Sequence, residues 1–231
     1  MHSSDRVTTA RLATAEYYAD PGTVERYIDF VERKGNIGTL VDYGVRNGVN
    51  YKGASVVDAG CGPGLHLACF EKVGAQNIRA VDLSPAMVEA ARGRAEQLGI
   101  PCTVDIANIT TPSSIPMPDE TATIVSSDAV LLHLSPDEFR KAQKEFYRVL
   151  VTGGWQVARL LLESDTKREP GEMGRADIHK SGRLFWLYNP DEVQSMLEES
   201  GFVVDNIEPD SDLGGSWGRY VAHKSECSIE P

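Results

Sequence analysis

From Ser55 onward the chain alternates short apolar runs with helix-patterned stretches, a rhythm that few architectures accept. Parallel strands need a long crossover between them, and a helix is its usual form. The pattern predicts strands at 55–58, 78–82, 102–106, 122–126, 155–162, 203–207 and 219–224. Between them it predicts helices at 65–73, 85–98, 136–150 and 191–200, the last closed by Gly201, a favoured residue just past a helix end. In the third strand, Cys102, Val104 and Ile106 are read as facing inward. Seven strands with helices between them describe an α/β, doubly wound, mostly parallel sheet. Ligands of such sheets bind beyond the carboxyl ends of the strands, where the strand order reverses.

Upstream, Ala13, Tyr17, Val24, Tyr27, Ile28, Val31, Ile37, Leu40 and Val41 recur at three-to-four spacing, broken at Asp20-Pro21-Gly22. Two or three helices before the first strand are predicted, forming an N-terminal cap over residues 10–50. Residues 1–9 and 225–231 are polar and end-like, and neither is expected to carry the fold. With 231 residues, the chain is read as one domain, 1–231. A polar, glycine-bearing stretch that turns aromatic at Phe185, Trp186 and Tyr188 is read as a lid-like insertion over 163–190, too irregular for the core.

A formal charge of −11 argues against binding a polyphosphate backbone, so nucleic acid is not the expected partner. The four cysteines, at 61, 69, 102 and 227, form no C-x-x-C pair and have no histidine at zinc spacing, so no metal site is expected. No secretory start and no long apolar run is present, and the chain is read as cytoplasmic with reduced thiols and no membrane partner.

The segment Val56-Val57-Asp58-Ala59-Gly60-Cys61-Gly62-Pro63-Gly64 follows a strand and opens a helix. Glycine lets a backbone turn tightly and approach a ligand closely. Asp82, at the end of the second strand, offers a carboxylate to a ribose. A dinucleotide fingerprint needs G-x-G-x-x-G and a pyrophosphate at the helix start. Here the spacing is G-x-G-P-G, and Asp58 would repel a pyrophosphate but attract an ammonium or sulfonium.

On these residues the chain resembles the class I S-adenosylmethionine-dependent methyltransferases, over about Ala54 to Gly154. The likeness covers the glycine turn, Asp82, the Ala129–Leu134 region and Arg148-Val149-Leu150-Val151-Thr152-Gly153-Gly154. It implies a Rossmann-like methyltransferase fold, S-adenosyl-L-methionine as cofactor, and a transferase acting on a small molecule. It also implies cofactor contacts at Asp58, Ala59, Gly60, Cys61, Gly62 and Gly64, at Asp82 for the ribose, and at Leu83 against the adenine. Asn108 with Ile109, or alternatively Asp105, would meet the adenine amino group, and Ser127, with Asp128, would face the transferred methyl. In the resembled fold the N-terminal helices and the insertion cover the site. That arrangement makes Tyr17, Arg159, His179, Arg183 and Trp186 candidates for the acceptor pocket and Tyr18 a candidate beside the cofactor.

Methyl transfer is an in-line displacement that needs chiefly alignment, with a general base required only where the acceptor must lose a proton. His133 is the candidate base because imidazole titrates near neutrality, and Tyr188 is read beside it as a second catalytic candidate. The same pocket is compatible with a non-methyl reaction of the cofactor, such as aminobutyryl transfer, cyclisation or elimination. An NAD-linked oxidoreductase and a non-catalytic binding module are the remaining readings.

Overall fold

Val56 and Val57 are both fully buried although successive strand residues point to opposite faces, so the first strand must be covered on both sides. A computed structural model, which describes residues 3–163, 173–211, 213 and 216–225, shows what covers them. The central strands are β1 (Ser55–Ala59), β2 (Asn77–Asp82), β3 (Cys102–Ile106), β4 (Ala122–Asp128) and β5 (Leu150–Leu161). With β8 (Phe202–Pro209) and β9 (Trp217–Lys224) they form a seven-stranded sheet in the order β3-β2-β1-β4-β5-β9-β8. β1 to β5 run parallel, and β9 lies antiparallel between β5 and β8. The strand order reverses between β1 and β4, which opens a crevice above their carboxyl ends.

Among the described residues seven α-helices surround the sheet: α1 (Ser3–Ala19), α2 (Pro21–Lys34), α3 (Thr39–Arg46), α4 (Leu67–Lys72), α5 (Pro85–Leu98), α6 (Pro136–Val149) and α7 (Pro190–Glu199). Their starts are written locally. Ser84, Ser135 and Asn189 each precede a proline at the first helical position, and Ser135 and Asn189 complete capping boxes with Glu138 and Glu192. One face of the sheet buries Val57, Val125 and Leu160 with Phe139, Phe146 and Met196 of α6 and α7. The other buries Val56, Ile78 and Val104 with Tyr43, Phe70 and Ala91 of α3, α4 and α5.

Several expectations need correction. Residues 3–9 belong to α1 instead of forming a loose end, because nothing before Asp20-Pro21 stops a helix. The predicted helix 65–73 contracts to α4, since the glycine turn unwinds only at His66. Ile106 does not face inward: it is exposed on the edge strand, and Ala107 takes the buried position while its amide donates to the Asp82 carbonyl. The insertion is not irregular throughout. Residues 175–187 form an antiparallel hairpin of β6 (Arg175–Ile178) and β7 (Leu184–Leu187), and Leu184, Leu187 and Tyr188 are buried. Of the insertion, 164–172 lies outside the described residues, as do 226–231 of the tail. No helix among the described residues is long and apolar enough to cross a membrane.

Candidate active site

At the end of β1 the chain reverses over its neighbour: the amides of Gly60 and Cys61 both donate to the Val81 carbonyl, at 2.7 and 2.9 Å. Gly60 adopts φ 78°, and a Cβ there would stand 2.2 Å from a Val130 methyl. No other L-residue fits without moving the β4 loop. Gly62 is more open, its nearest neighbour being the Tyr27 ring, 3.8 Å from where a Cβ would be. Gly64 does different work. A Cβ there would meet Leu67 and the α5 backbone at Ala91, at 2.9 and 3.2 Å, so this glycine seats the turn on α5 and does not face the crevice.

Asp82 closes the adjoining wall. Its two oxygens accept from the Gly62 amide at 2.9 Å and the Ser84 amide at 2.8 Å, and burial raises its pKa. Beside it Leu83 is 61% exposed, an apolar side chain presented outward at the crevice mouth. A cavity of about 480 Å³ opens here. Its walls include Gly60, Gly62, Asp82, Leu83, Asn108, Ile109, Asp128 and Val130, and α1 roofs it with Thr14, Ala15 and Tyr18.

At the third strand end, Asn108 reaches the cavity, but its side-chain carbonyl accepts from the amide and hydroxyl of Thr110, at 3.0 and 2.8 Å. Both lone pairs are thereby engaged, so the expected carbonyl contact to an adenine amine is not available in this arrangement. Asp105 is paired with Arg79 and is not part of the cavity wall. Ile109 lines the cavity as an apolar surface.

Behind the glycine turn lies a buried charged layer. Asp58 is almost fully buried, one of its oxygens has no hydrogen-bond partner among the described residues, and burial pushes its pKa up to about 7. His66 Nε2 stands 3.1 Å from Asp128. Arg159 pairs with Asp128 at 3.0 Å and Asp210 at 2.7 Å and touches the Thr39 hydroxyl. Arg159 is therefore a buried counter-ion and not an acceptor-pocket residue. Ala59, Cys61 and Ser127 are likewise buried behind the wall, and with Asp58 they do not line the cavity.

The roof brings distant segments together. The Tyr18 hydroxyl lies 3.3 Å from His133 Nε2 and accepts from the Arg183 guanidinium at 3.2 Å. His133 Nδ1 is 3.2 Å from the Leu184 carbonyl, which can only accept, so the proton sits on Nδ1 and the lone pair on Nε2. Burial holds this imidazole neutral, its pKa pushed down to about 4. Thr14 accepts from the Leu184 amide at 2.8 Å, and Arg11 forms two bonds to Glu138, at 2.6 and 2.8 Å, on the rim.

The remaining acceptor candidates do not reach the cavity. Arg183 stacks on the Tyr17 ring at 4.4 Å, His179 sits at the hairpin turn against Phe185, and Trp186 packs on the core. Tyr188 is fully buried with its hydroxyl 2.5 Å from the Leu134 carbonyl, so it cannot touch an acceptor and the catalytic reading of it is withdrawn. Sequence reasoning missed Tyr27, which it counted only as helical periodicity, together with Arg11, Thr14, His66 and Glu138. The Arg11–Glu138 pair joins positions 127 residues apart, and no local pattern announces it.

Residues 56–154 match a family model described as a methyltransferase domain. No curated protein matches the chain significantly. Among solved structures, an S-adenosylmethionine-dependent methyltransferase from Aquifex aeolicus is similar with a TM-score of 0.67 at 20% identity, over 89% of this chain and 98% of that one. A Burkholderia thailandensis 1,6-didemethyltoxoflavin-N1-methyltransferase, with 1,6-didemethyltoxoflavin and S-adenosylhomocysteine bound, has a TM-score of 0.60 at 21% identity, over 76% and 72%. The [4+2]-cyclase SpnF has a TM-score of 0.65 at 18% identity, over 81% and 80%.

Proposed function

We propose, from the methyltransferase domain matched over residues 56–154, that the chain is a class I S-adenosylmethionine-dependent methyltransferase that methylates a small molecule enclosed beneath α1. The observation that carries the reading is the single cavity shared by two kinds of wall. One is a backbone and carboxylate wall at Gly60, Gly62 and Asp82, and the other is a side-chain roof from α1 and β7. S-adenosylmethionine, when bound, supplies a methyl group on a sulfonium. The residues present fit it: Asp82 retains lone pairs for two ribose hydroxyls, Leu83 and Ile109 offer apolar faces to a purine, and the bare Gly62 backbone leaves room. Asp58, Ala59, Cys61, Gly64 and Ser127 hold that wall from behind.

The acceptor end is formed by Thr14, Tyr18, His133, Leu134 and Leu184. Closure by α1 keeps water from the reacting atoms and fixes the acceptor near the methyl, the positioning on which such displacements chiefly depend. The cavity's size suits a small molecule and not a macromolecular chain. The toxoflavin methyltransferase, with 1,6-didemethyltoxoflavin bound, is consistent with this use of the fold.

Incubation of the full chain with isotopically labelled S-adenosylmethionine and a metabolite extract, read by mass spectrometry, tests the proposal. Labelled small-molecule product with stoichiometric S-adenosylhomocysteine is expected. The similarity to a cyclase favours one second reading, a same-fold reaction without methyl transfer. Methylthioadenosine among the products, or an unconsumed cofactor beside a rearranged metabolite, would select it.

A further inference from the structure

Tyr18 and His133 lie on segments 115 residues apart, yet they meet in the cavity wall with their polar atoms in hydrogen-bond contact. The Nδ1–H of His133 donates a hydrogen bond to the Leu184 carbonyl, which leaves Nε2 to accept from the Tyr18 hydroxyl. The Tyr18 oxygen also accepts from Arg183. A phenolic oxygen has one proton and two lone pairs, so one lone pair remains. Both residues line the cavity, where the acceptor end of the site has been placed.

We propose, resting on the methyl-transfer reading, that Tyr18 is a catalytic residue that takes the proton of a hydroxyl acceptor and that His133 is the positioning residue through which this proton leaves. As the acceptor oxygen bonds to the methyl carbon, the carbon–sulfur bond breaks and its electron pair stays on sulfur. The hydroxyl proton passes to the Tyr18 oxygen while the Tyr18 proton passes to His133 Nε2. The imidazolium formed later loses its proton to solvent.

Charge favours this order. The sulfonium charge disappears as the imidazolium charge appears, so the net charge of the cavity is unchanged, and the nearby Arg183 drives the imidazolium to give up its proton afterwards. An alkylating hydroxyl oxygen becomes a very strong acid, and even a weakly basic neutral imidazole takes its proton. Arg183, 3.2 Å from the Tyr18 hydroxyl, stabilises transient negative charge there and disfavours an ammonium acceptor at the same spot. A neutral alcohol or phenol is the class that fits.

Labelling the methyl of S-adenosylmethionine with carbon-13, and feeding it with a metabolite extract to the full chain, reads the acceptor atom from the shift of the transferred methyl. An ether methyl is expected. Tyr18→Phe should slow labelled transfer by about 100-fold or more while the cofactor Kd stays within about threefold by calorimetry. His133→Asn keeps a donor for Leu184, and His133→Gln keeps an acceptor for Tyr18. A structural role would be rescued by one of them, whereas the relay predicts that both remain slow. Nitrogen-15 spectra of the imidazole with S-adenosylhomocysteine added should show the neutral Nδ1–H form. A methyl on nitrogen or carbon, a Gln or Asn variant at the wild-type rate, or an Nε2–H imidazole overturns the relay. A wild-type chain that binds the cofactor and labels nothing removes methyl transfer itself. That result differs from failure of the relay alone, in which label appears and the variants keep pace.

Discussion

The Gly62 amide donates to the Asp82 carboxylate across 2.9 Å, and this bond makes the glycine turn and the end of β2 one continuous wall. Replacing Asp82 by Ala removes both the partner of that amide and the acceptor offered to a ribose. Cofactor affinity measured by calorimetry is expected to fall about 10- to 100-fold, the worth of one or two charge-assisted hydrogen bonds. Unchanged affinity would show that the nucleoside does not rest on this wall.

Gly60 faces Val130 so closely that a side chain on either must yield. Gly60→Ala combines a positive φ of 78° with a contact of 2.2 Å, and is expected to cost about 1–3 kcal/mol in denaturant unfolding. Cofactor binding should weaken with it. Adding Val130→Ala in the same chain relieves the contact but not the backbone strain, so part of the loss should return. Strict additivity of the two changes would argue that they do not touch.

Stability should decline with rising pH around neutrality because of Asp58. Its ordinary carboxyl pKa is 3.8, and burial raises it in the folded chain to about 7. Between those values the native state holds a proton that the unfolded chain has released, so stability present at low pH is lost as pH climbs through about 7. The charges around it are His66 on the turn, Asp128 on β4 and Asp82 on β2. His66 changes stability in the same direction, because its pKa is also raised in the fold. Denaturant unfolding at pH 5 and pH 8 measures the slope, and Asp58→Asn is expected to flatten it.

Arg159 is buried between Asp128 and Asp210, and its removal takes one cation from each, leaving Asp128 with His66 and Asp210 with Arg219. Arg159→Met is expected to destabilise the chain by about 3–5 kcal/mol, as breaking a buried pair from one side does. A residue that served only the acceptor would leave the unfolding midpoint unchanged and lower turnover alone.

Local chemistry made much of the frame legible. The helix α5 keeps the bounds read from its helical composition, and Ser84, Pro85 and Gly99 supply the local caps that fix both ends. The hairpin of β6 and β7 was missed because its strands are only four residues each and owe their burial to α1 and the turn at His133. Tyr188 looked like a site aromatic for the same reason: nothing near it in sequence reveals that its hydroxyl is taken by Leu134.

The succession of strands and helices along the chain, the glycine turn and the acid at the end of β2 follow from patterns confined to a few tens of residues, where backbone geometry and periodic burial act directly. Which side chains converge on the cavity was settled only by the fold. Tyr18 and Arg11 come from the first helix, His133 and Glu138 from beyond β4, and Leu184 from the hairpin. Contacts between such remote segments depend on how whole elements dock, and docking is determined by the summed burial of many residues rather than by any motif that one segment contains.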